Sequence, residues 1–343
     1  MTADAVAVVI VTHESAAQIG RTLNALVPQL RSGDELIVVE NGSTDARVTI
    51  GTVQAAAPGA RIVEQGNSGF AGGAVAGAAL ATAPLLFFMN PDARPAPDCL
   101  DSLRRAAAER PGWGAWQALV TMDGGTRINT AGNVAHFLGV SWAGRCVRPV
   151  SDAPTGYEEV AFASGAALVV RRSAWEQVGG FDERYFMYCE DLDLSLRLRL
   201  AGWEVGIAPA ARVDHDYDFD KGARKWFLLE RNRWWTILAD YPRPLLVLLA
   251  PALLAAELAL LGVAARGGWL RQKLKAQLAV LRALPAIRER RRDVQARRRA
   301  VARELAGHLT AEVDSPFLGP LAEVGFLDTA QRAYWAAVLR LLP

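Results

Sequence analysis

Cysteine is scarce: Cys99, Cys146 and Cys189 are the only three in 343 residues, and no two form a CxxC pair. This excludes a disulfide framework and a thiolate zinc site, and a reducing compartment is the default expectation. The opening stretch MTADAVAVVIVTHES lacks the basic residues that begin a signal peptide. Its apolar run passes straight into polar residues, so it is expected to be a buried strand. Excess charge is also missing, with 38 Lys+Arg against 36 Asp+Glu, which argues against a nucleic-acid binder. That near-neutrality hides an asymmetry. Residues 271–303 carry 12 basic and 2 acidic residues, leaving 26 basic against 34 acidic elsewhere.

What is present is a buried core and a repeating order. At 51% hydrophobic and 22% charged, the chain is neither disordered nor fibrous. The β-branched run at residues 5–12 and the run at 35–40 flank a segment, Ser15–Leu30, with helical spacing of Ile19, Leu23, Leu26 and Leu30 and with Ser15 as its expected N-cap. Further strands are expected at 60–64 and 84–89, with an Ala/Gly-rich helix at 72–82 between them. Strand–helix–strand alternation with strands buried on both faces implies an α/β fold with a mostly parallel sheet and flanking helices. From 113 to 160 the pattern weakens to short strands and turns. It recovers with a strand at 160–170, helices at 173–178 and 191–201, and a strand at 203–208.

Ligands of such sheets bind outside the carboxyl ends of the strands. Four of those ends are polar here: Thr12-His13-Glu14, Glu40 to Asp45, Gln65 to Phe70, and Asn90-Pro91-Asp92. Asp92 is a carboxylate at the ligand edge that could hold a hard divalent cation, Mg²⁺ or Mn²⁺. His215, at another strand end, could add a ligand, although one Asp and one His are each more often structural. Glu190, Asp191 and Asp193 are three acids within four residues behind an aromatic run. Desolvation and like-charge crowding there would favour a general base. The stretch Gly66 to Gly73 could face an anion at a helix N-terminus or serve close helix–sheet packing. It matches neither GxGxxG nor GxxxxGK[ST], which disfavours a Rossmann dehydrogenase and a P-loop NTPase.

After residue 220 the composition changes. Residues 245–265 contain no Lys or Arg and a single acid, Glu257. That length suits the roughly 20 apolar residues of a bilayer crossing. Glu257 and Pro251 weigh against a span, because an acid at its centre costs about 2.5–3.5 kcal/mol. A membrane-embedded or interfacial helix is expected, with a buried core helix as the alternative. The basic segment that follows would face anionic lipid.

Taken in order, VVIVTHES, IVVENGSTD, GNSGFAGG, FFMNPDA, the block from Ser164 to Trp203 that contains CEDLDL, and VDH resemble family 2 glycosyltransferases of the GT-A fold. Within that family they are most similar to the bacterial rhamnosyltransferase-like branch that extends polyprenyl-linked or cell-wall glycans. The resemblance covers roughly residues 5–235. It implies a GT-A catalytic domain at 1–222 and a C-terminal helical region at 223–343. The activity it implies is an inverting transfer from a nucleotide-diphosphate sugar, dTDP-rhamnose or a UDP-sugar, at the cytoplasmic face of the plasma membrane. Thr12 and Glu40 would contact the nucleoside, and Asn67 and Gly69 would lie beside the nucleotide. Asn90 and Asp92 stand at the DxD position, with Asp92 and His215 at the metal. Asp191, paired with Glu190, would be the base. Ser164, Gly165 and Ala166 would line the sugar and acceptor side. The run Glu230 to Trp234 is similar to a QxxRW signature with Glu for Gln, which would put Arg233 and Trp234 near the acceptor. Three positions depart from the family pattern: Glu40 replaces Asp, Asn90 replaces the first Asp of DxD, and Ala74-Val75 replace Asn. A non-catalytic binding or scaffold protein on the same fold is the alternative these departures motivate. A glycoside hydrolase is the poorer reading, since neighbouring acids do not bracket a bond as hydrolysis requires.

Overall fold

The computed structural model describes residues 4–215, 222–314 and 325–343, and for 325–328 the backbone alone. The amino-terminal half alternates as its apolar runs dictate: β1 (Val6–Thr12), α1 (Ile19–Leu26), β2 (Glu35–Asn41), α2 (Ala46–Ala56), β3 (Arg61–Gln65), α3 (Gly69–Leu80) and β4 (Leu85–Met89). There follow β5 (Arg94–Pro95), α4 (Cys99–Glu109), β6 (Trp113–Met122), β7 (Arg127–Thr130), β8 (Asn133–Ala135), β9 (Ser141–Ala143), β10 (Glu158–Glu159), β11 (Ala167–Arg171), α5 (Arg172–Val178), α6 (Glu190–Leu200) and β12 (Glu204–Asp214). Among the described residues, five helices follow: α7 (Gly222–Asp240), α8 (Arg243–Arg266), α9 (Leu270–Arg297), α10 (Ala302–Ala306) and α11 (Gly325–Leu341).

The main sheet runs β10-β12-β6-β11-β4-β1-β2-β3. Neighbours pair in parallel from β3 to β4 and again between β6 and β12, while β11 is antiparallel to both β4 and β6. The long strands β1, β2, β3, β4, β6 and β12 therefore point one way, and their carboxyl ends share one edge. Apolar layers cover both faces. One includes Val9, Phe88, Leu168 and Leu194, and the other Val8, Phe87, Trp116 and Val169.

Several expectations shift at the boundaries. Ser15 does not cap α1: the helix starts at Ile19 with Gln18 before it, and the Ser15 hydroxyl donates to the His13 carbonyl. The strand expected across 160–170 begins only at Ala167, because Ser164 to Ala166 form a turn that lines the ligand edge. The region expected to be weak, 113–160, contains β6, ten residues long and buried throughout. Its Gly, Gln and Trp content disguises a central strand. In α3, a Cβ at Gly73 would lie 2.5 Å from Val11 Cγ1, and one at Gly77 would lie 2.4 Å from Val9 Cγ1. These two glycines serve close helix–sheet packing. All three cysteines are buried and free.

The carboxyl-terminal helices pack on the sheet-bearing body. Val280 and Ile287 of α9 join the apolar layer of α6 and β11. Three members of the basic segment turn inward. Lys273, fully buried, donates to Glu230 at 2.6 Å and to Glu257 at 3.0 Å. Arg290 pairs with Asp182 and Asp193. Arg291 donates to the carbonyls of Leu238 and Tyr241. Breaking one partner of such a buried pair costs about 3–5 kcal/mol, so these contacts fix the helices to the body.

Candidate active site

Polar ends of five strands and the start of α6 surround the shared edge. At β2, Glu40 is buried with its charge answered locally. Its carboxylate accepts from the Gly42 N–H at 3.1 Å, the Ser43 N–H at 2.8 Å and the Ser43 hydroxyl. Next to it, buried Asn41 stitches two loops. Its amide donates to the Gly69 carbonyl at 3.0 Å, and its Oδ1 accepts from Gln65 at 2.9 Å and from the Ser68 N–H at 3.1 Å. Asn67 Oδ1 accepts from the Gly69 N–H at 3.0 Å, and Asn67 Nδ2 lies 3.2 Å from His13 Nε2. Thr12 is fully buried, and its hydroxyl donates to the Val39 carbonyl at 3.2 Å. Gly69 has no alternative residue: its φ is +75°, and a Cβ there would lie 2.1 Å from the Phe186 carbonyl oxygen.

The chain ends at β4 and β12 meet. His215 Nε2 lies 3.1 Å from Asp92 Oδ1 and 3.4 Å from Asn90 Nδ2. His215 is held by its backbone, donating to the Thr121 carbonyl at 2.8 Å and accepting from Asn129 at 3.0 Å. It is buried, while the Asp92 side chain is 43% exposed. Among the described residues, no group of three His, Cys, Asp or Glu forms a metal cluster. One carboxylate and one imidazole beside an open edge fit a divalent cation that completes its shell with diphosphate oxygens and water.

The turn Ser164-Gly165-Ala166 joins this pair to the acids of α6. The Asn90 N–H donates to the Ala166 carbonyl at 3.1 Å, and the Gly165 N–H donates to Asp191 Oδ2 at 3.0 Å. Ser164 is anchored from below by the fully buried Gln117, whose Oε1 accepts the Ser164 N–H at 2.9 Å. Asp191 Oδ1 accepts from the Leu192 N–H at 2.8 Å. Burial raises the Asp191 carboxyl above the ordinary range, and the N–H groups of Gly165 and Leu192 pull part of the way back. Glu190 is displaced further, well above its ordinary value, by burial and then by the neighbouring Asp191 charge. Its Oε2 is buried without a hydrogen-bond partner among the described residues, so nothing at that oxygen offsets the loss of water around the charged form.

The loop before α6 is strained and clamped. Phe186, Tyr188 and Cys189 have φ of +66°, +70° and +63°. Conformations of this kind cost a non-glycine residue of order 1–3 kcal/mol and persist only where the surroundings hold them. Asn232 of α7 provides that hold. It is 1% exposed, and its amide donates to the carbonyls of Tyr185 at 3.0 Å, Met187 at 2.9 Å and Tyr188 at 2.7 Å. Sequence reasoning passed over Asn41, Gln117 and Asn232, since a buried amide leaves no spacing signature. The neighbours Arg233 and Trp234 point into the helical region. Arg233 engages Glu230, Glu257 and the Leu138 carbonyl, and Trp234 Nε1 donates to Glu257 at 3.1 Å.

The family model described as "Glycosyltransferase like family 2" matches residues 3–236. In two strains of Mycobacterium tuberculosis, an N-acetylglucosaminyl-diphospho-decaprenol L-rhamnosyltransferase is 34% identical over 244 residues, covering 62% of this chain and 76% of the relative. The rhamnosyltransferase WbbL of Escherichia coli is 40% identical over 80 residues, 22% of this chain and 30% of the relative. In fold, the chain is similar to GalNAc-T7, solved with UDP, GalNAc and Mn²⁺. The TM-score is 0.58 at 13% identity, covering 70% of this chain and 48% of that one. S. aureus TarS is also similar, with a TM-score of 0.54 at 13% identity, covering 98% and 55%. Sheet order, ligand edge and matched family agree: the chain is an enzyme of glycosyltransferase family 2, with the GT-A fold and rhamnosyltransferases among its relatives.

Proposed function

We propose that this glycosyltransferase works with inversion, moving a sugar from a nucleotide-diphosphate donor to a hydroxyl of a polyprenyl-linked or cell-wall glycan at the cytoplasmic face of the plasma membrane. Rhamnose carried by dTDP is the favoured donor because the relatives are named as rhamnosyltransferases; UDP-galactose and UDP-glucose are the competing choices. The single observation that carries the reading is the seat of Asp191. It is a carboxyl with a raised pKa at the start of α6, oriented by the N–H groups of Leu192 and Gly165, and Gly165 belongs to the turn that is hydrogen-bonded to Asn90 after β4.

In the reaction, the acceptor hydroxyl gives its proton to the Asp191 carboxylate as its oxygen bonds to the anomeric carbon. The bond from that carbon to the diphosphate oxygen breaks, its electron pair leaves with the nucleoside diphosphate, and the anomeric configuration inverts. Burial and the neighbouring Asp191 charge both favour the neutral form of Glu190. Asp92 and His215 would hold Mg²⁺ or Mn²⁺, which when bound offsets the charge developing on the diphosphate. Glu40, Asn67 and Gly69 shape the nucleotide side, with Thr12 beneath them. Ser164 to Ala166 set the distance between donor and base. Arg233 and Trp234 support that side from behind through the helices.

A thermal-shift panel of dTDP-rhamnose, UDP-galactose, UDP-glucose and GDP-mannose, each with Mg²⁺ or Mn²⁺, tests the donor. Ligand at a hundredfold excess over Kd stabilises by about 2.7 kcal/mol, a rise of several degrees. dTDP-rhamnose with metal is expected to give the largest rise. No rise with any donor would contradict the reading.

A further inference from the structure

Twelve large apolar residues are exposed among the described residues, and six of them fall on two consecutive helices. On α8, Val247, Leu254 and Leu258 are each 64% exposed, spaced i, i+7, i+11 along one stripe. On α9, Leu274, Leu278 and Leu281 are exposed at i, i+4, i+7, and exposed Arg271, Lys275 and Arg282 flank them. Between Arg243 and Arg266, α8 exposes no charged residue. Exposed leucine stripes on two helices that pack together, with cations beside the second stripe, mark a docking face whose chemistry matches anionic lipid.

The length and hydropathy of α8 would allow it to cross a bilayer. The contacts of its other side argue against a crossing. Leu245, Leu249 and Leu253 are buried in a cluster with Trp335 and Val338 of α11 and with Leu342 just after it, and the Tyr334 hydroxyl donates to the Leu248 carbonyl. Midway, Glu257 is taken up by Arg233, Lys273 and Gln277. Beyond the helix end, Trp269 stacks on Trp226 of α7 at 4.8 Å. Fastened at its start and middle and tied to α7 just past its end, α8 lies along the body.

We propose that the α8–α9 hairpin seats the enzyme in the plane of an anionic bilayer surface, with the two leucine stripes at the headgroup–acyl boundary and the basic residues among the headgroups. This deepens the membrane placement proposed above and depends on it. The hairpin also reaches the catalytic loop: Trp226 packs on its turn, and Arg224 of the same helix lies 4.7 Å over the Phe186 ring. An acceptor whose lipid tail stays in the bilayer would thus arrive beside the loop that leads into Glu190 and Asp191.

The test uses vesicles alone and reads no sugar transfer, so it can fail while the transferase reading stands. An environment-sensitive fluorophore is placed on the full chain through Val247→Cys, Leu254→Cys, Leu258→Cys or Leu278→Cys, the native cysteines being buried. Vesicles are phosphatidylcholine with or without phosphatidylglycerol, carrying nitroxide at shallow or deep acyl positions. All four probes are expected to brighten on anionic vesicles and to be quenched by the shallow nitroxide at one common depth. The triple variant Leu254→Glu, Leu258→Glu and Leu278→Glu should lower the vesicle-bound fraction about tenfold with its circular-dichroism melt unchanged. A depth that changes steadily from 247 to 258 would overturn the proposal in favour of a span. Equal binding to neutral vesicles, or no probe response, would overturn it outright.

Discussion

Glu190 and Asp191 are adjacent carboxyls to which the proposed mechanism gives different duties, and their hydrogen bonds distinguish them. Burial raises both, Glu190 further, because the Asp191 charge adds to burial there while Asp191 accepts two N–H groups. Asp191 must be ionised to act as base. The rate should therefore rise with pH along an acid limb that lies above the usual aspartate value of about 4, measurable as kcat/KM against pH. Glu190 behaves oppositely with respect to stability. Its folded pKa is raised, so the stability its proton confers is complete below the ordinary carboxylate pKa and is lost as pH rises through the raised value. Glu190→Gln should keep activity within about tenfold and flatten that alkaline loss, as read from urea midpoints across pH. A thousandfold loss of activity in that variant would show that the charge of Glu190 is used. The acids themselves were legible in the sequence as a cluster behind aromatics. Their division of labour came only from the family resemblance, because its physical basis depends on which oxygen the Gly165 N–H reaches.

At the scale of elements, the loop from Phe186 to Cys189 links the start of α3 to α6. The Phe186 carbonyl accepts from the Ala71 N–H at 3.1 Å, at the start of α3, while the same loop leads into α6. Asn232 holds it from α7. Asn232→Ala removes three carbonyl contacts, each worth about 0.5–1.5 kcal/mol net. Asn232→Asp is worse, because a carboxylate facing carbonyls repels them. Steady-state kinetics should show kcat falling about tenfold or more in the Ala variant and further in the Asp variant, with donor KM nearly constant, since a displaced base costs rate rather than donor binding. A change in donor KM alone would remove the positioning role. The strands of this edge could be read from apolar runs ending in polar residues, as at Val6 to Thr12 or Leu85 to Asn90. The loop could not: Phe, Tyr and Cys carry no signal for positive φ, and Asn232 stands in a helix whose sequence draws attention to Arg233 and Trp234 instead. β6 was hidden by Gly114 and Gln117, which interrupt its alternation yet are needed, the one against Trp203 and the other beneath Ser164.

The whole molecule ties its basic helix to its catalytic helix. Asp193 of α6 is fully buried, yet Arg197 and Arg290 overcome that burial and hold its carboxyl at about 2. Because the folded pKa is depressed, this contribution is present above the unfolded value and is lost as pH falls through about 2. Asp193→Asn should lower stability by about 3 kcal/mol at neutral pH, with the gap from the unaltered protein closing in acid, by thermal melts from pH 7 down to 2.5. Charge asymmetry in the sequence suggested an acidic body and a separate basic tail. The fold joins them, since Lys273, Arg290 and Arg291 neutralise or cap the interior and only the outward cations are left for the lipid contact proposed above. Truncation at residue 235 should therefore give insoluble protein rather than a soluble catalytic domain. The central claim is that distant segments bring Asp191 to the donor site as its base, and single-turnover transfer by Asp191→Asn, with donor binding measured in parallel by calorimetry, tests it most directly. Transfer should fall by at least about a thousandfold with donor Kd within about threefold; transfer at the unaltered rate, with the same Kd, would contradict it.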